Sequence, residues 1–163
     1  MIKAYKKSDF KKFGTNTFLS KSVEIRRPHL ITIGSNCAID TGFYCTTKAT
    51  IGDYIHIGPY VTIVGGEKSK IIINNFASIA AGCRFICASD VHSDKGMSGP
   101  TIPDEYRDKV VHTTIVVERC ANLATNSVIM PGIIIGEGSV VGPNSLITKN
   151  TNPWTVYVGN PAR

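Results

Sequence analysis

Large apolar residues recur every six positions along most of this chain, and small or polar residues fill many of the positions between them. A period of six matches neither the 3.6-residue period of an α-helix nor the simple alternation of an isolated strand. It is typical of short strands joined by tight turns, each of which points one apolar side chain into a shared core. The three series are Ile33, Ile39, Cys45, Ile51, Ile57 and Ile63; Ile73, Ile79 and Phe85; and Val117, Leu123, Ile129, Ile135, Val141 and Ile147. Cys45 is the one member that is not a large apolar residue.

The positions around each apolar residue support the same interpretation. Gly, Asp or Asn often follows it directly, as at Gly34, Asp40 and Gly52, and these residue types tolerate the backbone conformations of a corner. Four positions after the apolar residue the side chain is usually small, as at Ala49 and Ser127. The pattern therefore predicts an all-β fold, a parallel β-helix in which a large and a small side chain pack side by side in a narrow interior.

Three segments near the C-terminus carry a resemblance to a known family. Residues 158–163, Val-Gly-Asn-Pro-Ala-Arg, are similar to the G-x-P-A-[KR] ending of sugar acetyltransferases. Residues 129–136 resemble the I-x-P-G-V-x-I-G coil of these enzymes, and residues 141–149 resemble the V-G-A-x-S-x-V-T-K coil that follows it. From about residue 16 to its end the chain resembles bacterial hexapeptide-repeat acyltransferases. The resemblance implies a left-handed parallel β-helix with three hexads per triangular coil, and acetyl-CoA as co-substrate.

The resemblance also implies a coenzyme A site on the last coils. The matching positions in this chain are Ala124, Thr125, Gly142, Pro143, Thr148, Lys149 and Arg163. The last three would meet the phosphate-bearing end, since cations neutralise phosphate charge and a hydroxyl adds a hydrogen bond. The glycine and proline would line the pantetheine channel, and a backbone N–H of Ala124 or Thr125 would stabilise the oxyanion. The alternative is that Lys149 and Arg163 are solvated charges near a terminus.

The six-residue repeat lapses from about residue 91 to residue 113, where the composition turns polar and rich in Gly and Pro. A solenoid accepts insertions only outside its coils, and long loops usually carry function. Residues 88–90 and 100–106 resemble members of the family that acylate nucleotide-linked deoxyamino sugars. In the resembling enzymes this loop projects onto a neighbouring subunit and walls the cleft where the substrates meet. The resemblance therefore implies a homotrimer with shared active sites.

Acyl transfer from a thioester needs a base that removes a proton from the attacking group, and histidine suits this task. His92, at the start of the inserted loop, is our first candidate. Asp90 either orients His92 or contacts the acceptor itself, because the catalytic histidine of the resembling enzymes aligns nearer Asp90. His112, where the loop rejoins the coil, is either a site residue or a turn residue. We interpret His29 as structural and His56 as an outward surface residue.

We therefore expect an acetyl-CoA-dependent acetyltransferase that modifies a sugar hydroxyl during surface-polysaccharide assembly. The alternative is N-acetylation of a nucleotide-linked 4-amino sugar, because the inserted loop resembles that subgroup. A metal enzyme of the γ carbonic anhydrase type is a weaker hypothesis, since His56 and His92 lack the third imidazole that such a zinc site needs. We expect no metal. A solenoid that only scaffolds partners is the remaining alternative.

Charge and composition refine this picture at the N-terminus. Residues 1–27 hold eight basic side chains against Asp9 and Glu24, so the whole formal net charge of +6 arises there. This segment either forms a polar cap over the first coil or attracts an anionic partner. Nucleic acid fits this role poorly as the partner. The first ten residues contain no apolar run, and no run approaches the length of a membrane span, so we expect a cytoplasmic protein.

The repeat and the resemblance together predict that the 163 residues form one domain with five parts. Residues 1–27 form the cap, residues 28–90 and 114–151 form the coils, and residues 91–113 form the inserted active-site loop. Residues 152–163 are expected to leave the coil as a short strand or loop. The five cysteines form no CxxC pair, and we interpret them as reduced side chains that mostly pack in the core.

Overall fold

Six coils of three short strands each make up the molecule in the computed structural model, which describes residues 5–92 and 96–163. The first three coils contain β1 (Lys12–Phe13), β2 (Phe18–Leu19) and β3 (Glu24–Ile25); β4 (Ile31–Ile33), β5 (Ala38–Ile39) and β6 (Tyr44–Cys45); and β7 (Lys48–Ile51), β8 (His56–Ile57) and β9 (Thr62–Val64). The fourth contains β10 (Lys70–Ile73), β11 (Ser78–Ile79) and β12 (Arg84–Ile86).

A hairpin of β13 (Ala88–Asp90) and β14 (Val110–His112) interrupts the solenoid at this point. The fifth coil follows with β15 (Thr114–Val117), β16 (Asn122–Leu123) and β17 (Val128–Ile129), and the sixth with β18 (Ile134–Ile135), β19 (Val140–Val141) and β20 (Leu146–Ile147). A final strand, β21 (Val156–Tyr157), begins a seventh turn. Short 3-10 turns cover Lys7–Asp9 and Pro28–Leu30.

Corresponding strands of successive coils pair in parallel, so the coils present three flat faces. Face A contains the first strand of each coil, face B the second strands with β21 added at the end, and face C the third strands. The apolar residues of the hexads stack in register, as Ile39 on Ile57 and Ile57 on Ile79. Their exposure is 0 to 1% throughout the series, and each buried side chain contributes roughly 1.5–3 kcal/mol of hydrophobic stabilisation. The predicted left-handed β-helix is confirmed.

The corners differ in detail from the sequence-based expectation. At several corners the residue after the buried residue is small because the next coil comes very close: a Cβ on Gly34 would lie 2.4 Å from the carbonyl oxygen of Gly52. Left-handed backbone appears two positions later, where Tyr54 and Phe76 have φ of 58° and 65°. Each bulky residue there costs about 1–2 kcal/mol. Backbone hydrogen bonds between coils, such as Tyr54 N–H to the Ser35 carbonyl at 3.0 Å, hold these corners in place.

The coils reach further toward both ends than residues 28 and 151. Strands β1–β3 already form a complete coil within the segment expected to be a cap. The covering segment is shorter: the Tyr5 hydroxyl accepts from the N–H of Ile25 at 2.8 Å and donates to its carbonyl at 2.9 Å, while Phe10 is buried. At the other end β21 pairs in parallel with β19, so this part of the C-terminal segment continues face B instead of leaving the coil.

Four of the five free cysteines lie in the interior of the solenoid, and Cys120 is half-buried at a corner. Burial raises the pKa of the Cys45 thiol to about 11 and that of the Cys87 thiol to about 12. Within the described parts of the chain, no helix has the length and apolar character needed to cross a membrane.

Candidate active site

A strip of very small residues runs along the edge between faces B and C. It consists of Gly58, Ala80, Ala124 and Gly142, each of which directly follows the buried residue of a face B strand. The strands stack about 4.8 Å apart, so the strip runs parallel to the solenoid axis. Each backbone N–H donates to the next coil at 2.8 Å, for example Ala80 to Leu123 and Ala124 to Val141. No side chain in this small-residue strip is larger than a methyl group.

Four of the residues expected to contact coenzyme A meet on this edge. Ala124 and Gly142 belong to the strip, and Thr125 and Pro143 lie exposed beside them at the corner. The stacking is direct, because the Asn144 N–H donates to the Thr125 carbonyl at 2.9 Å. The N–H of Ala124 is engaged by Val141, which leaves Thr125 as the candidate for the predicted oxyanion donor.

The other three residues expected at the cofactor line one cleft at the C-terminal end. Thr148, Lys149 and Arg163 surround a cavity of about 370 Å³ together with Tyr157 and Pro161. The final turn closes this cleft by lying along face C: the Ala162 N–H donates to the Leu146 carbonyl at 2.9 Å and the Gly159 N–H donates to Ser145 Oγ at 3.1 Å. Two cations and a hydroxyl around one cleft suit a phosphate-bearing ligand.

The C-terminal turn also connects this cleft to the small-residue strip. A Cβ on Gly142 would lie 2.7 Å from the Val158 side chain, so the turn begins in contact with the end of the strip. From Gly142 to Gly58 the strip covers three strand spacings, about 14 Å. An extended ligand whose charged end occupies the basic cleft can therefore lie along the strip toward the third coil.

The inserted hairpin emerges from a different edge of the solenoid. It leaves the last strand of face C in the fourth coil and returns into face A of the fifth, with Asp90 opposite Val110 in the antiparallel pair. The Val91 N–H donates to the Lys109 carbonyl at 2.9 Å and so extends the pairing by one residue. Asp90 is half-buried at the end of its strand. The hairpin thus holds this carboxylate on regular backbone.

The histidines of this region are separate from Asp90. His92 is exposed with φ of 53°, and its Nδ1 lies 3.1 Å from Ser98 Oγ. Among residues 5–92 and 96–163, no hydrogen bond joins the Asp90 carboxylate to His92, so the structure does not form the expected orienting contact. His112 Nδ1 instead lies 3.1 Å from Oγ of the buried Ser69.

The two halves of the expected site lie on different edges, with face C between them. The small-residue strip follows face B, whereas Asp90 and His92 follow face C. No hydrogen bond between described residues connects hairpin residues 88–92 with the strip. One chain therefore presents the two groups of residues separately.

A histidine interpreted from sequence only as a surface residue has a specific partner. His56 is exposed on face B, and its Nε2 lies 2.9 Å from Asp40 Oδ2. The side chains are 54% and 31% exposed respectively. The only sequence signal was their separation of sixteen residues, close to one coil. Within the described residues, no group of three His, Cys, Asp or Glu side chains has the arrangement of a metal site.

Two comparisons cover nearly the whole chain. The dTDP-4-amino-4,6-dideoxy-D-glucose acyltransferase of Escherichia coli is 30% identical over 164 residues, 97% of this chain and 82% of the relative. The crystal structure of AntD, an N-acyltransferase from Bacillus cereus in complex with dTDP and 3-hydroxybutyryl-CoA, superposes with a TM-score of 0.90 at 35% identity, and covers 96% of this chain and 82% of AntD. A variant of AntD has been solved with dTDP-4-amino-4,6-dideoxyglucose and coenzyme A.

Two further comparisons are more limited. The putative lipopolysaccharide biosynthesis O-acetyl transferase WbbJ of Escherichia coli K12 is 32% identical over 120 residues, 74% of this chain and 58% of WbbJ. A hexapeptide-repeat acetyltransferase from Vibrio cholerae has a TM-score of 0.60 at 23% identity, covers 96% of this chain and 73% of its own, and supports the fold alone. No protein-family model matches the chain.

Proposed function

This chain belongs to the hexapeptide-repeat, left-handed β-helix acyltransferases, which use coenzyme A thioesters, and we propose that it acetylates the amino group of a nucleotide-linked amino sugar. The observation that carries this proposal is the agreement with the Escherichia coli and Bacillus cereus proteins over 97% and 96% of the chain. Both are named for the acylation of amino groups or amino sugars. O-acetylation, our first expectation, is supported by WbbJ, whose match spans 58% of its length. The alternative therefore replaces it as the leading hypothesis.

Coenzyme A fits the residues on the last two coils. Lys149 and Arg163 would neutralise its phosphates and Thr148 would donate a hydrogen bond, while the strip and Pro143 would accommodate the pantetheine arm. The cleft of about 370 Å³ lies at the small end of the range for ligand sites, so we place the phosphate-bearing part of the cofactor there. The thioester would then lie along the strip, away from the basic cleft.

Asp90 is our candidate for the group that receives the acceptor. A carboxylate attracts a sugar ammonium and removes its proton, after which the free amine is a good nucleophile toward a thioester carbonyl. His92 remains the candidate base for a hydroxyl acceptor, which needs stronger activation. The regular backbone of the hairpin favours Asp90, because a positioned group must be held within a fraction of an ångström of its productive geometry.

A homotrimer would bring the two halves of the site together. Each chain carries the strip on one edge and the hairpin on another, so a neighbour whose hairpin faces the strip would complete the cleft. We propose that Asp90 of one subunit deprotonates an acceptor whose amine then attacks the thioester held by another subunit. A cytoplasmic location follows for an enzyme whose substrates are nucleotide sugars and acetyl-CoA.

Product analysis tests the proposed function. The purified protein is incubated with acetyl-CoA and either dTDP-4-amino-4,6-dideoxyglucose, the matching 4-hydroxy nucleotide sugar, or a free sugar, and thiol release is followed. We expect turnover only with the amino sugar and a product that survives dilute alkali and hydroxylamine, as an amide does. A product released by hydroxylamine, formed only from the hydroxyl sugar, would instead establish O-acetylation.

A further inference from the structure

The pair formed by Asp40 and His56 occupies a defined place at the end of the small-residue strip. Asp40 belongs to the same column as Gly58, Ala80 and Ala124, because it follows the buried residue of β5 as they follow those of β8, β11 and β16. It is the only member of this column between Ser20 and Val158 with a titratable side chain. Its carboxylate reaches across one coil to the Nε2 of His56 at 2.9 Å.

The contact determines which nitrogen of His56 is available. A neutral imidazole that donates its Nε2 proton to Asp40 keeps the lone pair on Nδ1. His56 is exposed, lies two positions before Gly58 in the chain and is in register with Ser78 of the next coil. The pair thus holds a proton acceptor beside the strip, at the end remote from the basic cleft.

Stability is a poor explanation for this pair. Exposed ion pairs contribute little to folding, and both partners are partly in solvent. The inner residues of the same two strands, Ile39 and Ile57, are already fully buried and hold the coils together without it. A side chain that orients an imidazole through one nitrogen is, however, a recurrent arrangement in general acid and base catalysis.

We propose that His56 is the proton relay of the acyl transfer and that Asp40 is its positioning residue. This inference rests on the proposed function, because it needs the thioester to reach along the strip from the basic cleft. Asp90 takes the first proton from the acceptor ammonium. As the amine nitrogen bonds to the carbonyl carbon, Nδ1 of His56 accepts its second proton. The relay then returns that proton to the departing sulfur as the C–S bond breaks, which yields the amide and the thiol of coenzyme A.

The test compares His56→Ala, His56→Gln and Asp40→Asn with a matched control, His29→Ala, whose exposed side chain lies in the turn Pro28–Leu30. With acetyl-CoA and dTDP-4-amino-4,6-dideoxyglucose we expect kcat of both His56 variants to fall about a hundredfold or more. The Kd for coenzyme A and the thermal midpoint should stay unchanged, and added imidazole should partly restore His56→Ala. Asp40→Asn should lower kcat by a smaller factor, and His29→Ala should leave it unchanged.

An activity-independent measurement separates this inference from the proposed function. The ring resonances of His56 should shift when coenzyme A and dTDP are added together, and those of His29 should not. If the wild type acetylates the amino sugar and His56→Ala does so with the same kcat, the relay is overturned while the proposed function stands. If the amino sugar is not a substrate, the proposed function fails, and an unshifted His56 resonance would then overturn the relay as well.

Discussion

The edge that carries the small-residue strip and the edge that carries the hairpin differ in structure and in the ligand that we expect each to bind. The strip is made of backbone and methyl groups, and each N–H is tied to the next coil at 2.8 Å. The hairpin is an insertion with exposed polar residues and a single antiparallel pair. A rigid edge suits a co-substrate that binds in one extended pose, and an inserted loop suits the recognition of a particular acceptor. Under the proposed function the strip would hold coenzyme A and the hairpin would receive the acceptor.

Core truncation should give the largest effect and show how strongly the two regions differ in stability. Phe85 is fully buried in the fourth coil, so Phe85→Ala should lower the free energy of unfolding by about 3–5 kcal/mol. Tyr106 in the insertion is 60% exposed, and Tyr106→Ala should change the free energy of unfolding by less than about 0.5 kcal/mol. Urea unfolding followed by circular dichroism measures both. Equal losses would mean that the insertion belongs to the cooperative core.

Removal of the hairpin carboxylate should give the next largest effect. Asp90→Asn keeps the shape of the side chain and removes its basicity, so kcat should fall about a hundredfold while the thermal midpoint stays the same. Asp104→Asn is the matched control, because Asp104 is exposed in the same insertion and pairs with Arg107 at 2.8 Å. If His92→Ala abolishes turnover and Asp90→Asn does not, the base is His92; the corresponding result for His112→Ala would assign it there.

Mixed oligomers test whether the two edges act across subunits. Asp90→Asn removes the carboxylate of the hairpin and Ala124→Trp blocks the strip, so each homogeneous protein should be nearly inactive. Co-expressed chains should regain activity, because some interfaces then combine an intact hairpin with an intact strip. Sedimentation of the wild type should report three chains. Activity that stays at background in the mixture, or a fully active monomer, would contradict the shared site.

Loss of a single cation at the basic cleft should give a smaller effect. Lys149→Ala and Arg163→Ala should each weaken coenzyme A binding by about 1–3 kcal/mol, the range for charge-assisted contacts, and leave acceptor binding nearly unchanged. Lys68→Ala, at an exposed position between β9 and β10, is the control. Titration calorimetry at two salt concentrations measures the change. Unchanged affinity in both variants would mean that coenzyme A binds at another surface.

Thiol labelling should give the smallest effect and reports on the interior of the coils. Burial raises the pKa of Cys45 to about 11 and that of Cys87 to about 12, so both remain protonated and unreactive at neutral pH. Only Cys120 should react with a thiol reagent in the native protein, and all five should react in urea. Rapid labelling of Cys87 would show that the base of the hairpin opens.

Much of the fold could be predicted because each coil repeats one local rule. Every residue of the three apolar series is buried, and Gly34 lies where an added Cβ would come within 2.4 Å of the next coil. The ends were harder to predict. In the first coil Phe13, Leu19 and Ile25 keep the six-residue spacing, but they are out of phase with the series that begins at Ile33. At the other end β21 continues face B with Val156 and Tyr157, in a segment whose sequence resembles a loop.

The sequence by itself determined the solenoid and the place of the insertion, because neighbours in the repeat are also neighbours in space. The grouping of Thr148, Lys149 and Arg163 came from the resemblance of the last coil and of the ending to sugar acetyltransferases. Tertiary structure alone decided the rest. It engaged the Ala124 N–H with Val141, turned His92 toward Ser98 and joined His56 to Asp40. It also placed Asp90 and the strip on different edges. These outcomes depend on which face each coil presents and how far a side chain reaches, and a one-dimensional pattern does not contain that information.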